Sequence, residues 1–482
     1  MLVAALVVGG QPAGAATTSE VSTPQQWSAL PDAPPGVLSR VSCPTATRCF
    51  AVGRDNDGNP IASILIGHRW WPTRVGPQTT VASHGYSLVD VSCVSASACV
   101  AVGRYYDVGR WRPLVNTWAG GNGWSFYRGP ARVTDFSGIS CVGVSTTTCF
   151  VIGSSSGRAR VEMHSAVGWQ PTPLPRLGPG ANRVLRGIDC VSATFCVAVG
   201  SATPSGRSPQ TLAMMWNGTA WSSAPRPPLP SSTRGTLNAV SCVSRFSCFA
   251  VGVQDNHRTL IERWDGSRWS VVPSVDEWDK YFSNTLTGVS CVTAVSCVAV
   301  GSARTDGILL PGQHLHALIE VWDGSHWTLT SPPRKGDTDT NSLTGVSCTS
   351  EHCAAVGSYE SSSAPTHSLG FSGAVAPRTV RATWSAADNA RLLQIAAYLH
   401  QSPAATQKTA VAALAYVLGF GSQRTTPVTL PPAGTAASYA TVWQPSELVT
   451  IDSLRGQYAL DSAGATRVAV AFLSYVLALG GH

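Results

Sequence analysis

Fourteen cysteines stand along the chain in seven close pairs: Cys43/Cys49, Cys93/Cys99, Cys141/Cys149, Cys190/Cys196, Cys242/Cys248, Cys291/Cys297 and Cys348/Cys353. Paired thiols either hold a metal or bond each other. Structural zinc sites use C-x2–4-C knuckles in complementary sets with companion histidines. Here five pairs enclose five residues, the third encloses seven and the last four. That spacing predicts a disulfide within each pair and no metal. Such bonds persist in an oxidising compartment.

Other chemistry-bearing residues are sparse. Gly153-Ser-Ser155-Ser-Gly157 matches G-x-S-x-G, but a nucleophile elbow needs a strand–turn–helix, and a Ser-rich loop follows here instead. His314-x-His316 lacks nearby Cys or acidic partners. Asp55-Asn-Asp57-Gly58-Asn59 has the oxygens of a calcium turn without the rest of the loop, and reads as a plain turn. Asn217-Gly-Thr219 is a glycosylation sequon, although a hairpin turn already accounts for Asn-Gly. Glu162, Glu262 and Glu320 each lie seven residues before a tryptophan. One position recurring in three places reads as repeat structure rather than an acid/base pair, whose members need unequal environments. No cofactor is expected.

These residues belong to a repeat. Successive first cysteines lie 50, 48, 49, 52, 49 and 57 residues apart, a period that signals a repeat architecture. Leu286-Thr-Gly-Val-Ser-Cys291 leads to Cys297-Val-Ala-Val-Gly301, and Leu237-Asn-Ala-Val-Ser-Cys242 to Cys248-Phe-Ala-Val-Gly252. These are β-branched runs joined by a turn and ended by Gly. An apolar run then reaches Trp264-Asp-Gly-Ser-Arg-Trp269, with counterparts at Trp216–Trp221 and Trp322–Trp327. Asp-Gly and Asn-Gly predict type I′ turns there. Each repeat is thus two hairpins, a–b and c–d, with the disulfide across a–b. Four strands in ~50 residues make a propeller blade.

Strand d opens with Trp71, Trp124, Trp169, Trp221, Trp269 and Trp327 in the first six repeats. The seventh repeat has no obvious d strand after it, whereas Trp27-Ser-Ala-Leu lies unattached before the first. The Trp27 strand is therefore expected to complete blade seven; closure through Trp384 is the competing arrangement, disfavoured because Ser385 and Asp388 look like a helix capping box. The V-S-C…C-x-A-V-G and W-[DN]-G-x-x-W motifs resemble those of secreted bacterial β-propeller repeat proteins, over about residues 20–380. The resemblance implies the architecture, and leaves function open. The WD40 G-H…W-D pattern is absent, as is the leading S/T-x-D of the sialidase Asp-box.

The ends read differently. Residues 1–16 carry a short apolar run and Ala13-Gly-Ala-Ala16, as in a secretory signal peptide without the usual basic n-region. Residues 17–380 are the seven-bladed propeller. Residues 381–482 are Ala-rich and helically patterned, with Leu392, Ile395, Ala396 and Leu399 on one face. Lys408–Gly421 aligns with Arg467–Gly480 at eight of fourteen positions, so an all-α domain built as a duplicated helical hairpin is expected. Its ~13-residue apolar runs are too short to span a bilayer, and no transmembrane anchor is expected.

Composition narrows the function. Charged residues are 12%, about half the ~25% usual in soluble domains. Sixteen Trp exclude a disordered chain. Of 33 basic residues only Lys280, Lys335 and Lys408 are lysine, and the net charge of +7 forms no dense stripe, which argues against nucleic acid. In a propeller the b–c and d–a connections share one face, and here they vary most, as binding loops do. That face offers Arg104, Tyr105, Tyr106 and Trp111 from the second repeat, and Trp278 and Tyr281 after the fifth. Tyr, Trp and Arg are common binding hot spots. A secreted or cell-surface binding or scaffold protein is the expectation, with an extracellular or cell-wall protein or glycan as partner. The alternative, an extracellular glycan-active hydrolase or lyase at the channel mouth, needs inward carboxylates at the starts of the a strands, where only Asp90 and Asp189 are acidic.

Overall fold

The computed structural model describes most of residues 27–374, apart from 32–33, 76–85, 108, 122, 131, 144–147, 177–180, 226–232, 256, 276–282, 307–312, 331, 334–339 and 362–363. It also describes 21–22, 378–384, 437–443 and single positions among 392–410 and 466–470. The chain divides into two compact units, Gln25–Ala374, and Val375–His482 taken together with Met1–Pro24.

The larger unit is an all-β seven-bladed propeller: seven four-stranded antiparallel sheets, each ordered a-b-c-d. Blade one runs Val37–Thr45, Arg48–Arg54, Pro60–Ile66 and Arg69–Thr73. In blade seven, strands a to c are Asn341–Cys348, His352–Ser361 and Ala364–Ala374, and strand d is Trp27–Ala29. Trp27 pairs with Gly373 and Ala29 with Phe371, so a strand from before blade one completes the last sheet. Trp384 lies instead in Arg378–Trp384, which pairs with Val21–Ser22 and Ala437–Trp443 in the smaller unit.

Two features recur in every blade. The a strand bulges one residue before the middle of the sheet, at Ser39, Val89, Ser137, Arg186, Asn238, Thr287 and Thr344. A bulge adds local twist and redirects a side chain. Ser137, Asn238 and Thr287 use it to donate to a leucine carbonyl of the next blade, at 2.8, 2.8 and 2.7 Å. The second feature is a row across each sheet at one level, seen in blade five as Cys242–Cys248–Trp264–Trp269.

Each row begins with a disulfide. The bonds are Cys43–Cys49, Cys93–Cys99, Cys141–Cys149, Cys190–Cys196, Cys242–Cys248, Cys291–Cys297 and Cys348–Cys353, the seven pairs that the spacing predicts. The paired Cα atoms lie 4.0 Å apart in every blade. The two members of a bond are buried unequally. The b-strand members Cys49, Cys99, Cys149, Cys196, Cys248, Cys297 and Cys353 are at most 2% exposed. Strand b has a partner on either side, whereas strand a borders the ring interior, and its cysteines are mostly half-buried. The disulfide thus lies beside the tryptophans that fill the space between blades.

In blade one the residue on that row is Trp70, opposite Leu65, and not Trp71. Trp70 is 5% exposed and Trp71 48%. In W-W either ring can open the strand by spacing alone; the side-chain alternation selects the first, and Arg69 covers the second at 4.9 Å.

The W-[DN]-G-x-x-W turns also differ from expectation. Trp216 faces Trp221, leaving a four-residue loop. Gly218, Gly266 and Gly324 have positive φ, but Asn217, Asp265 and Asp323 do not. Each of these instead turns its side chain inward: Asp265 Oδ1 accepts the Ser267 and Arg268 N–H groups at 2.8 and 2.9 Å. This side-chain mimic of a backbone turn replaces the I′ conformation.

The expectation of an all-α C-terminal domain is corrected. Its described part contains the strands Arg378–Trp384 and Ala437–Trp443, paired along their length. Helical positions occur too, and Leu392, Ile395 and Ala396 are buried. Ala410 and Ala469, which correspond in the duplicated stretch, are both helical and fully buried. The sequence there has β-branched runs, Thr379-Val and Ala440-Thr-Val, whose pairing depends on partners distant in the chain. Residues 1–20, Ser385, Asp388, Leu399 and most of both duplicated runs lie outside the described residues. Among the described residues, no helix is long and apolar enough to cross a membrane.

Candidate binding face

Because strands alternate direction, the a–b and c–d turns share one face of the ring and the b–c and d–a connections the other. The second repeat's candidate residues reach that face on a hairpin rather than a loop. Strand b (Ala98–Asp107) and strand c (Arg110–Trp118) of blade two stay paired out to Asp107 opposite Arg110. Alternation sends the side chains to two sides. Tyr105 stacks on Tyr86 at 6.1 Å and meets Phe126 edge-on at 5.7 Å, against blade one. Arg104, Tyr106 and Trp111 go to the side of blade three. The Arg104 guanidinium lies 4.4 Å over the Trp111 ring, Tyr106 meets that ring edge-on at 5.4 Å, and Arg104 pairs with Asp135 at 3.0 Å. Trp111 keeps 38% of its surface exposed. The structure therefore brings together three of the four blade-two candidates and gives Tyr105 a packing role. Trp278 and Tyr281 lie outside the described residues.

The cysteines take no part in this face. Cys49, Cys99, Cys149, Cys196 and Cys353 are core residues that pack among the strands of their own and adjacent blades, and every one is bonded. There is no free thiol to act as nucleophile or ligand. Their chemistry is spent on the framework that holds the loops in place.

Next to the aromatic hairpin is a cleft of about 940 Å³ around the start of strand c in blade three (Arg158–Ser165). Strand d there, Gly168–Pro171, pairs as far as Glu162, and Thr172 beyond it still donates to the Val161 carbonyl at 3.0 Å; among the described residues no strand pairs the outer side of Arg158–Arg160. Arg132 enters from the connection before the blade, Arg158 and Arg160 from strand c, Arg176 from the connection after it, and Arg183 from strand a of blade four (Asn182–Ser192). Among the described residues Glu162 is the one acid of the lining. It is 3% exposed; burial pushes its carboxyl above the ordinary range, against the pull of Arg132 and Arg160. Arg183 is buried and donates to the Pro175 carbonyl. Thr134, next to Asp135, donates from backbone and side chain to the Ser154 carbonyl at 2.9 and 3.1 Å. Ser155 lines the cleft, so the aromatic hairpin and the cleft adjoin. Alignment of the repeats could have revealed this site: Arg160-Val-Glu162 stands where blade five has Leu260-Ile-Glu262.

The G-x-S-x-G stretch turns at Ser156-Gly157, both with positive φ, between strands b and c of blade three. It is a two-residue hairpin turn, with no helix behind Ser155. His314 and His316 lie in a strand, Gln313–Trp322, rather than a loop. Asp55 accepts the Asp57 and Asn59 N–H groups at 3.0 and 2.6 Å, which makes 55–59 a side-chain-closed turn. Among the described residues no His/Cys/Asp/Glu group is placed to hold a metal.

The two a-strand acids are engaged between blades. Asp90 accepts the Ile139 and Val91 N–H groups at 2.9 and 2.8 Å; burial raises its pKa while Arg40 and these donors oppose the rise. Asp189 accepts the Cys242 N–H at 2.7 Å, and burial pushes its pKa to about 6. The glutamate column is likewise used in packing: Thr211 donates to Glu262 at 2.8 Å and Ser274 to Glu320 at 2.9 Å.

No protein-family model matches the chain, and no curated protein matches it. Solved structures similar in part include YCF48 bound to D1 peptide, at 13% identity over 73% of this chain and 96% of that one, TM-score 0.44. The Sqt1 of Chaetomium thermophilum is 13% identical over 68% and 81%, TM-score 0.40. The fucose-specific lectin from Aleuria aurantia is 10% identical over 64% and 95%, TM-score 0.36. Likeness at this level carries nothing about what this chain binds.

Proposed function

We propose that this protein is an extracellular binding or scaffold protein that recognises a protein or glycan partner through the b–c/d–a face of its propeller. Seven disulfides in a chain with so few charges support an oxidising, exported setting. The observation that carries the binding reading is the blade-two hairpin. It holds Trp111 partly exposed, backed by Tyr106 and Arg104, and the Arg104–Asp135 pair ties the platform to blade three. An exposed ring of fixed orientation contributes contact area at low cost in ordering, which is what a stacking or hot-spot residue requires. Trp278 and Tyr281 are further candidates for the same face.

The test is a glycan and cell-wall screen with the full chain, repeated on Trp111→Ala and Tyr106→Ala. Binding that drops at least ten-fold in both variants, with thermal unfolding unchanged, supports the platform. Full binding by both would move the site off this hairpin.

A further inference from the structure

Blade three departs from the other six at one position of strand c. Elsewhere the residue opposite the b-strand glycine is apolar: Ile61, Leu114, Leu212, Leu260, Leu318 and Leu369. The leucines of blades two, five, six and seven there are at most 1% exposed. In blade three the residue is Arg160, opposite Gly153, and it is exposed. Because seven copies of one unit pack the same way, the other six state what the fold alone requires, which is an aliphatic side chain. An arginine there answers to something other than packing.

Its surroundings name the chemistry. Four exposed guanidinium groups, Arg132, Arg158, Arg160 and Arg176, converge on the cleft, and among the described residues none forms an ion pair with a carboxylate. Glu162 cannot balance them, being single and almost wholly buried. Blade two offers it no hydroxyl, since Pro113 holds the position from which Thr211 serves Glu262. Like charges gathered in this way repel unless an anion sits among them. Guanidinium forks match carboxylate, sulfate and phosphate groups two bonds at a time. Pro171, Pro173 and Leu174 add apolar surface. The volume is that of a ligand pocket, and the charge is confined to it rather than spread in the stripe that nucleic acid needs.

We infer that the blade-three cleft is an anion-recognition site for an acidic glycan, a polymer whose sugars carry carboxylate, sulfate or phosphate groups. This rests on the reading of the b–c/d–a face as the binding face, and the Trp111 platform beside the cleft would engage a neighbouring sugar of the same chain.

The experiment measures binding of the full chain to polygalacturonate, heparin, a teichoic acid, neutral dextran and poly-L-glutamate, at low and high salt. The carboxylate, sulfate and phosphate arms separate the possible anion sources. The key variant is Arg160→Leu, which installs the repeat's own residue and so keeps the fold. Binding of at least one acidic polysaccharide, weakened by salt, with a loss of ten-fold or more in Arg160→Leu and in Arg158→Ala, is expected. Absence of acidic-glycan binding, equal binding by Arg160→Leu, or equally tight binding of poly-L-glutamate would overturn the inference. A neutral glycan or protein lost in Trp111→Ala but kept in Arg160→Leu sinks this site and leaves the proposed face standing. Loss of nothing in either variant sinks both.

Discussion

The carboxylate of Asp189 accepts the backbone N–H of Cys242 across the boundary between blades four and five, at 2.7 Å. It is one link of a closed belt. At the six other boundaries the acceptor is the serine of V-S-C or its counterpart: Ser42 to Cys93, Ser92 to Cys141, Ser140 to Cys190, Ser241 to Cys291, Ser290 to Cys348, and Ser347 back to Cys43. These bonds span 2.9–3.1 Å. The serine and the cysteine of the motif thus serve different partners, one the next blade and the other its own hairpin.

Asp189 makes the belt pH-sensitive at one link. Its folded pKa of about 6 stands above the ordinary 3.8 because of burial. Between those values the folded state holds a proton that the unfolded chain has released, so this group's contribution to stability falls as pH rises through the window. The effect is up to about 3 kcal/mol. Asp189→Ser keeps an acceptor for Cys242 and removes the titration. Denaturant unfolding from pH 3.5 to 7 should show the variant gaining on the wild type as pH rises; a constant difference would refute the assignment.

Removing a serine link should cost more than a surface change. Ser290→Ala leaves the Cys348 N–H unpaired at a blade boundary, a loss of about 1–3 kcal/mol. Ser270→Ala, on an exposed position of strand d, should stay within ~0.5 kcal/mol. The two are compared by thermal unfolding with disulfides intact.

The paired tryptophans of blade one separate burial from exposure within two residues. Trp70→Ala should lose about 3–5 kcal/mol as a core truncation, and Trp71→Ala well under 1 kcal/mol. Equal losses in denaturant midpoint would contradict the row assignment.

Ring closure depends on three residues from the start of the propeller. Trp27→Ala should destabilise by a core-truncation amount, about 3–5 kcal/mol. Deletion of residues 1–29 should do more, since it exposes the hydrogen-bonding edge of Ala364–Ala374. Size exclusion should then show association through that edge, while the full chain serves as the reference.

The cysteine period, the strand punctuation and the orphaned Trp27 were enough to determine seven blades, their disulfides and the closing strand: the blades and disulfides depend on spacing within ~50 residues, and the closing strand on the count, since the seventh repeat lacked a strand d and Trp27 lacked a blade. Local chemistry also separated the structural turns from the variable face. What the linear chain could not decide depended on which way side chains point and on what lies across a boundary. Trp70 against Trp71, the Asx closure of the c–d turns, and the strands Arg378–Trp384 and Ala437–Trp443 in place of an all-helical tail are of this kind. So is the role of V-S-C, whose serine acts ~50 residues away. The arginine cleft lies between these cases. Arg160 was readable as a break in the leucine column, but its companions Arg132, Arg158 and Arg176 come from three separate segments, and only the packing of blade three between its neighbours makes them one site.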